Sequence, residues 1–146
     1  MSADAEIPEG FTRHNRPSGL TQPWEPIYAA RREEAFSLGL YAAQAHVNSR
    51  GFVHGGLLCA LADNAMGLSC AYQIEGCSGL LTVNISMDYL GSGQLGDWIE
   101  VRAQPRQLGK SLCFAEASVY ADNHLCATAR AVFKLLPIPA DKGAKT

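Results

Sequence analysis

The chain has no excess of basic residues: 12 Lys and Arg stand against 14 Asp and Glu, a formal net charge of −2. That balance offers no general attraction to nucleic acid or to an anionic membrane surface. Neither is expected as a partner, and a polyanionic ligand would need local cations. The chain also lacks a Cys-x-x-Cys pair. Its five cysteines, Cys59, Cys70, Cys77, Cys113 and Cys126, are odd in number and mostly fall inside expected helix or strand segments. This pattern fits reduced, buried thiols in a cytoplasmic protein better than a disulfide framework or a zinc site. No basic-then-apolar leader opens the sequence, so export is not expected. The nearly uncharged run from Val53 to Ile74 is broken by Asp63 and Gly67, which weakens a membrane-span reading.

What is present suits one soluble domain: 146 residues, 47% apolar and 18% charged, enough for a single core. Residues 1–32 hold four of the seven prolines and read as an extended arm lying on the domain through Trp24 and Tyr28. A short helix is expected there, around Ile27 to Glu34. Residues 33–137 form the folded domain, and 138–146 read as a disordered tail after Pro137-Ile-Pro139.

Between Phe36 and Val47 the pattern is ambiguous. Phe36, Leu38 and Leu40 alternate as in a strand, while Ala42 to Ala45 would suit a helix. From Leu80 to Leu90 the period is two, with Leu81, Val83, Ile85, Met87 and Tyr89 on the apolar side. Asp97 to Ala103, Ser111 to Ala121 and Leu125 to Leu136 continue the pattern. Turns at Gln107-Leu-Gly-Lys110 and Asp122-Asn-His124 join them as an antiparallel meander. Ala115, Ala117, Ala127, Ala129 and Ala131 share one side and would leave a trough for a helix.

That helix follows Asn48-Ser-Arg-Gly-Phe-Val-His-Gly-Gly56. Leu57, Leu58, Leu61, Ala65, Leu68 and Tyr72 gather on one face at helical spacing, the stripe that presses onto a core. The other face carries Gly56, Cys59, Ala60, Asp63, Gly67, Cys70 and Ala71, all small except the aspartate. Asp63 is the only charge in the run, and burying a carboxylate unpaired is costly. It therefore points at something other than the main core. Gly55 and Gly56 leave N–H groups uncovered at the positive end of the helix, where a carboxylate, a phosphate or a developing oxyanion binds. The same glycines also suit a sharp turn with no other role. Gly55 and Asp63 are separated by about 12 Å along a helix rising 1.5 Å per residue. One reacting group reaches both only if they come from two copies of the chain.

Asn-x-x-Gly-x-x-His-Gly-Gly followed by a mid-helix Asp resembles the hotdog-fold acyl-CoA thioesterases of the PaaI-like and 4-hydroxybenzoyl-CoA thioesterase superfamily, over about Phe36 to Leu136. The resemblance implies an α+β hotdog fold: a curled antiparallel sheet of five or six strands around one long helix, dimerising through its edges. It implies an acyl-CoA substrate, no cofactor or metal, and self-association as a dimer or dimer of dimers. It further implies roles for residues. The Gly55 amide would polarise the thioester carbonyl, and Asn48 would donate a second hydrogen bond or hold the turn. His54 would orient the turn or contact the carbonyl region. Asp63 of a second subunit would act as base or nucleophile, and Thr82 would help orient water. The alternation, however, puts Thr82 on the polar side of its strand. For the coenzyme A phosphates the local cations are Lys110 beside Ser111, with Arg106 or Arg50, and Gly56 completes the substrate-binding set. Two other functions remain open on this fold: a hydratase or dehydratase of acyl thioesters, and a non-catalytic acyl-CoA-binding protein.

Overall fold

The computed structural model describes residues 5–137, and the expected tail at 138–146 lies outside them. Seven strands form one antiparallel sheet: β1 (Thr12–Arg13), β2 (Tyr28–Arg31), β3 (Phe36–Tyr41), β4 (Leu80–Tyr89), β5 (Trp98–Leu108), β6 (Leu112–Ala121) and β7 (His124–Leu135). Their order across the sheet is β1-β2-β3-β5-β6-β7-β4. One long helix, α1 (Gly55–Ala71), lies against the inner face. This is the curled sheet and single helix of the hotdog arrangement, with one strand more than the upper number the sequence suggested.

The trough is made as expected. Ala115, Ala117, Ala127, Ala129 and Ala131 are all buried, and α1 sets Leu57, Leu58, Leu61, Ala62, Ala65 and Met66 into the space their small side chains leave. The buried face of α1 is rotated from the expected stripe. Cys70, assigned by spacing to the open face, is fully buried, while Leu68 is half-buried. The sheet curls around the helix, so walls on both flanks broaden the buried arc.

The expected helix around Ile27 to Glu34 is not formed. Tyr28–Arg31 is β2, paired antiparallel to β3 through Ala29↔Leu38 and Ala30↔Ser37. Local propensity there yields to the open edge of β3, which offers a ladder of backbone partners, and to the burial of Ile27 in the core and of Ala30 beside Phe11 and Trp98. The ambiguous stretch after Glu34 resolves as β3 followed by a single 3-10 turn at Gln44–His46.

A second apolar cluster sits on the outer face, where Phe11 and Tyr28 close over Trp98 with centroids 5.2 and 6.3 Å apart. Here Gly39 is required by close approach, since a Cβ at that position would lie 2.3 Å from Trp98 Cζ2. The turn between β6 and β7 places Asp122 and Asn123 at φ 45° and 71°, the left-handed pair that tight hairpins need. Pro105 is tolerated within β5 because β3 pairs only as far as Ala103.

Candidate active site

The loop before α1 is held by its own side chains. Asn48 Oδ1 accepts hydrogen bonds from the Arg50 and Phe52 N–H groups at 2.9 and 3.1 Å, and Gly51 takes φ +84° to close the turn. Asn48 thus holds the turn through its oxygen. His54 is the N-cap of α1, and its Nδ1 accepts from the Gly56 N–H at 2.8 Å. That bond makes Nδ1 the acceptor, so the ring proton of the neutral imidazole sits on Nε2. It also occupies one of the two amides expected to be open. Among the described residues the Gly55 N–H has no acceptor in the chain.

Tyr89, at the end of β4, stands over this point. Its hydroxyl donates to Gly55 O at 2.6 Å, and a Cβ on Gly55 would meet the ring at 3.3 Å. The phenol is pushed above its ordinary value by burial and then by Cys59, so it stays a donor. Nothing in the period-two pattern of β4 marked Tyr89 as more than an apolar position, because its partner lies 34 residues away.

One helical turn separates Gly55 from Cys59, and another separates Cys59 from Asp63, all on the flank that faces β4. Burial and then the Asp63 charge push the Cys59 thiol upward, which keeps it protonated and a poor nucleophile. Asp63 is half-buried, and its Oδ1 accepts a 2.6 Å hydrogen bond from Thr82 Oγ1. Thr82 therefore faces the helix, against the alternation. The reason is a β-bulge: Thr82 pairs with Phe133 and Asn84 with Val132, leaving Val83 without a partner on β7. The extra residue reverses parity within β4. Leu80 and Thr82 turn inward before it, Ile85 and Met87 after it, and Leu81 and Val83 stay 55% and 59% exposed.

Asp63 and Thr82 line a cavity of about 300 Å³ with Gly67, Leu68, Leu80 and Phe133. His14, Arg16 and Ser18 from the arm form another part of its wall. No periodicity in the arm signals this. Among the described residues, no group of three or more His, Cys, Asp and Glu side chains is placed to hold a metal ion.

The expected cations are dispersed. Lys110 and Ser111 are exposed in the β5–β6 turn, where Ser111 O accepts from Leu135 N, near the Thr82–Phe133–Cys113 row of the sheet. Arg106 is drawn to Glu116 by a 2.7 Å ion pair on the outer face, away from Asp63. Arg50 lies over the Phe52 ring at 5.9 Å, beside the helix N-terminus. The structure thus joins Asp63 to Thr82, and Asn48, His54, Gly55 and Gly56 to one another, as two groups spaced along α1.

The Thioesterase superfamily profile matches residues 50–128. "Putative esterase PA0474" of Pseudomonas aeruginosa is 33% identical over 88% of this chain and 97% of its own length. Human acyl-coenzyme A thioesterase 13 is 30% identical over 51% of this chain and 52% of its own. A hypothetical thioesterase from Streptococcus pneumoniae, crystallised with coenzyme A, superposes with a TM-score of 0.72 at 19% identity, covering 80% of this chain and 94% of that one. No helix of the described residues is long and apolar enough to cross a membrane.

Proposed function

The chain belongs to the thioesterase superfamily, and we propose that it hydrolyses the thioester of an acyl- or aryl-CoA to the free acid and coenzyme A, at sites shared between two copies. The observation that carries this reading is the pairing of Asp63 with Thr82 at 2.6 Å inside a partly apolar cavity. Thr82 engages Oδ1, leaving Oδ2 without a partner among the described residues. That oxygen either removes a proton from water or attacks the carbonyl carbon itself, and both routes need the ionised carboxylate.

Negative charge then develops on the carbonyl oxygen and needs a donor fixed beforehand. The Gly55 N–H suits this task, being unpartnered among the described residues and at the positive end of a 17-residue helix. His54 Nε2–H offers a second donor at the same end. Gly55 and Asp63 remain about 12 Å apart within one copy, so Gly55 of one subunit works with Asp63 of its neighbour. Strand β4 supports that assembly. It is an edge strand of ten residues with Leu81 and Val83 exposed, and an unpaired edge of this length invites a second copy. Lys110 and Arg50 would meet the coenzyme A phosphates, since neither forms an ion pair among the described residues whereas Arg106 is engaged by Glu116.

The test is thiol release from a panel of short, long and aromatic acyl-CoAs by the wild-type chain and by Asp63→Asn. Loss of about 10²- to 10⁴-fold in kcat with the fold retained is expected for removal of the base. Near wild-type hydrolysis by Asp63→Asn overturns the reading.

A further inference from the structure

We propose that the arm segment from His14 to Ser18 is an anion-reading wall of the Asp63 cavity, and that Arg16 selects thioesters carrying a negative group within reach of it. This rests on the hydrolase reading above and adds what the site selects. At about 300 Å³ the cavity is at the small end of ligand sites, the size of a short or single-ring acyl group. Leu68, Leu80 and Phe133 give it an apolar floor, and the arm supplies a polar rim.

The arm is braced on both sides of Arg16. His14 N donates to Ile27 O at 2.9 Å. Ser18 Oγ accepts from Thr21 N at 3.2 Å and lies 3.0 Å from the Thr21 hydroxyl, and Thr21 is buried. Ser18 O also accepts from Gln22 N at 3.0 Å. Arg16 is thus carried on a short anchored span at the cavity wall. It is exposed and forms no ion pair with an acid among the described residues. A guanidinium in that position presents planar donors that match a carboxylate or phosphate, and a neutral acyl group gains nothing from it. The His14 imidazole, edge-on to Phe36 at 6.4 Å, is held below its ordinary value chiefly by burial. The positive charge on this wall is therefore that of Arg16.

The anion has two sources in such a substrate: a carboxylate at the far end of the acyl group, or a phosphate of the coenzyme. Four non-hydrolysable ketone analogues separate them: a neutral and an ω-carboxylated acyl chain of equal length, each on coenzyme A and on N-acetylcysteamine. Dissociation constants are measured by calorimetry for the wild type, Arg16→Gln and Arg16→Lys. Weakening of about 10-fold or more in Arg16→Gln, partly restored in Arg16→Lys, is expected. If it is confined to carboxylated ligands on both carriers, the acyl end is read. If it is confined to both coenzyme A ligands, the phosphate is read. Equal affinities of wild type and Arg16→Gln for all four, an equal loss that includes the neutral cysteamine analogue, or no binding of any by the wild type overturns the proposal. None of these ligands is turned over, so persistence of hydrolysis in Asp63→Asn strikes the hydrolase reading separately.

Discussion

Thr82 Oγ1 lies 2.6 Å from Asp63 Oδ1, although strict alternation along β4 would send the threonine to the opposite side of the sheet. The contact exists because one residue, Val83, is left out of the ladder with β7. Removing the hydroxyl should leave the Asp63 carboxylate free to rotate. Thr82→Val is expected to lower kcat about 10-fold with KM little changed, the size of one hydrogen bond to a charged group, and Thr82→Ser should recover most of it. Steady-state kinetics on one acyl-CoA substrate check both variants.

Deleting Val83 should restore the two-residue period through β4. The Thr82↔Phe133 and Asn84↔Val132 pairs then become consecutive, so Thr82 still faces the helix beside Phe133 and Leu81 still faces outward. Hydrolysis is expected to stay close to wild type, with the sheet signal in circular dichroism retained. A loss as large as in Thr82→Val would mean that the bulge itself, beyond the side Thr82 takes, sets the site.

The proposed pairing through β4 can be tested without touching Asp63 or Gly55. Lysines at Leu81 and Val83 place like charges along the exposed edge. The double variant should run as a monomer in light scattering and lose turnover, because each site would then lack its second half.

Gly39→Ala is a test of the outer cluster. The added Cβ would lie 2.3 Å from Trp98 Cζ2, held there by Phe11 and Tyr28, so the ring or the strand must shift. A loss of about 1–3 kcal/mol is expected, read as a lowered midpoint in urea unfolding.

Stability should depend on pH through His14. Burial holds its folded value below 6.5, with Glu25 opposing and Arg16 reinforcing the shift. The unfolded chain therefore binds the proton more readily, and stability falls as pH drops below the unfolded value toward the folded one. His14→Gln should flatten that slope between pH 7 and 5, measured by urea unfolding across the range.

The sequence by itself determined the pieces governed by local spacing. The apolar stripe Leu57, Leu58, Leu61 and Ala65, the lone charge at Asp63, the alanine-lined trough and the hairpin at Asp122-Asn123 all follow from contacts within a few residues or from one repeating period. The turn before α1 was expected from the resemblance, and the structure added that His54 caps the helix through Nδ1. Tertiary structure decided the rest. The face taken by Thr82 depends on how β4 registers against β7, and a single bulge reverses what the period alone predicts. Residues Tyr28–Arg31 became a strand because β3 offered an open edge. Gly56 lost its free amide to the His54 ring, and the arm brought His14 and Arg16 to the wall of the Asp63 cavity. Each of these is a choice between partners distant in sequence, and the periodicity of a single segment holds no information about which distant partner is nearest once the chain has closed.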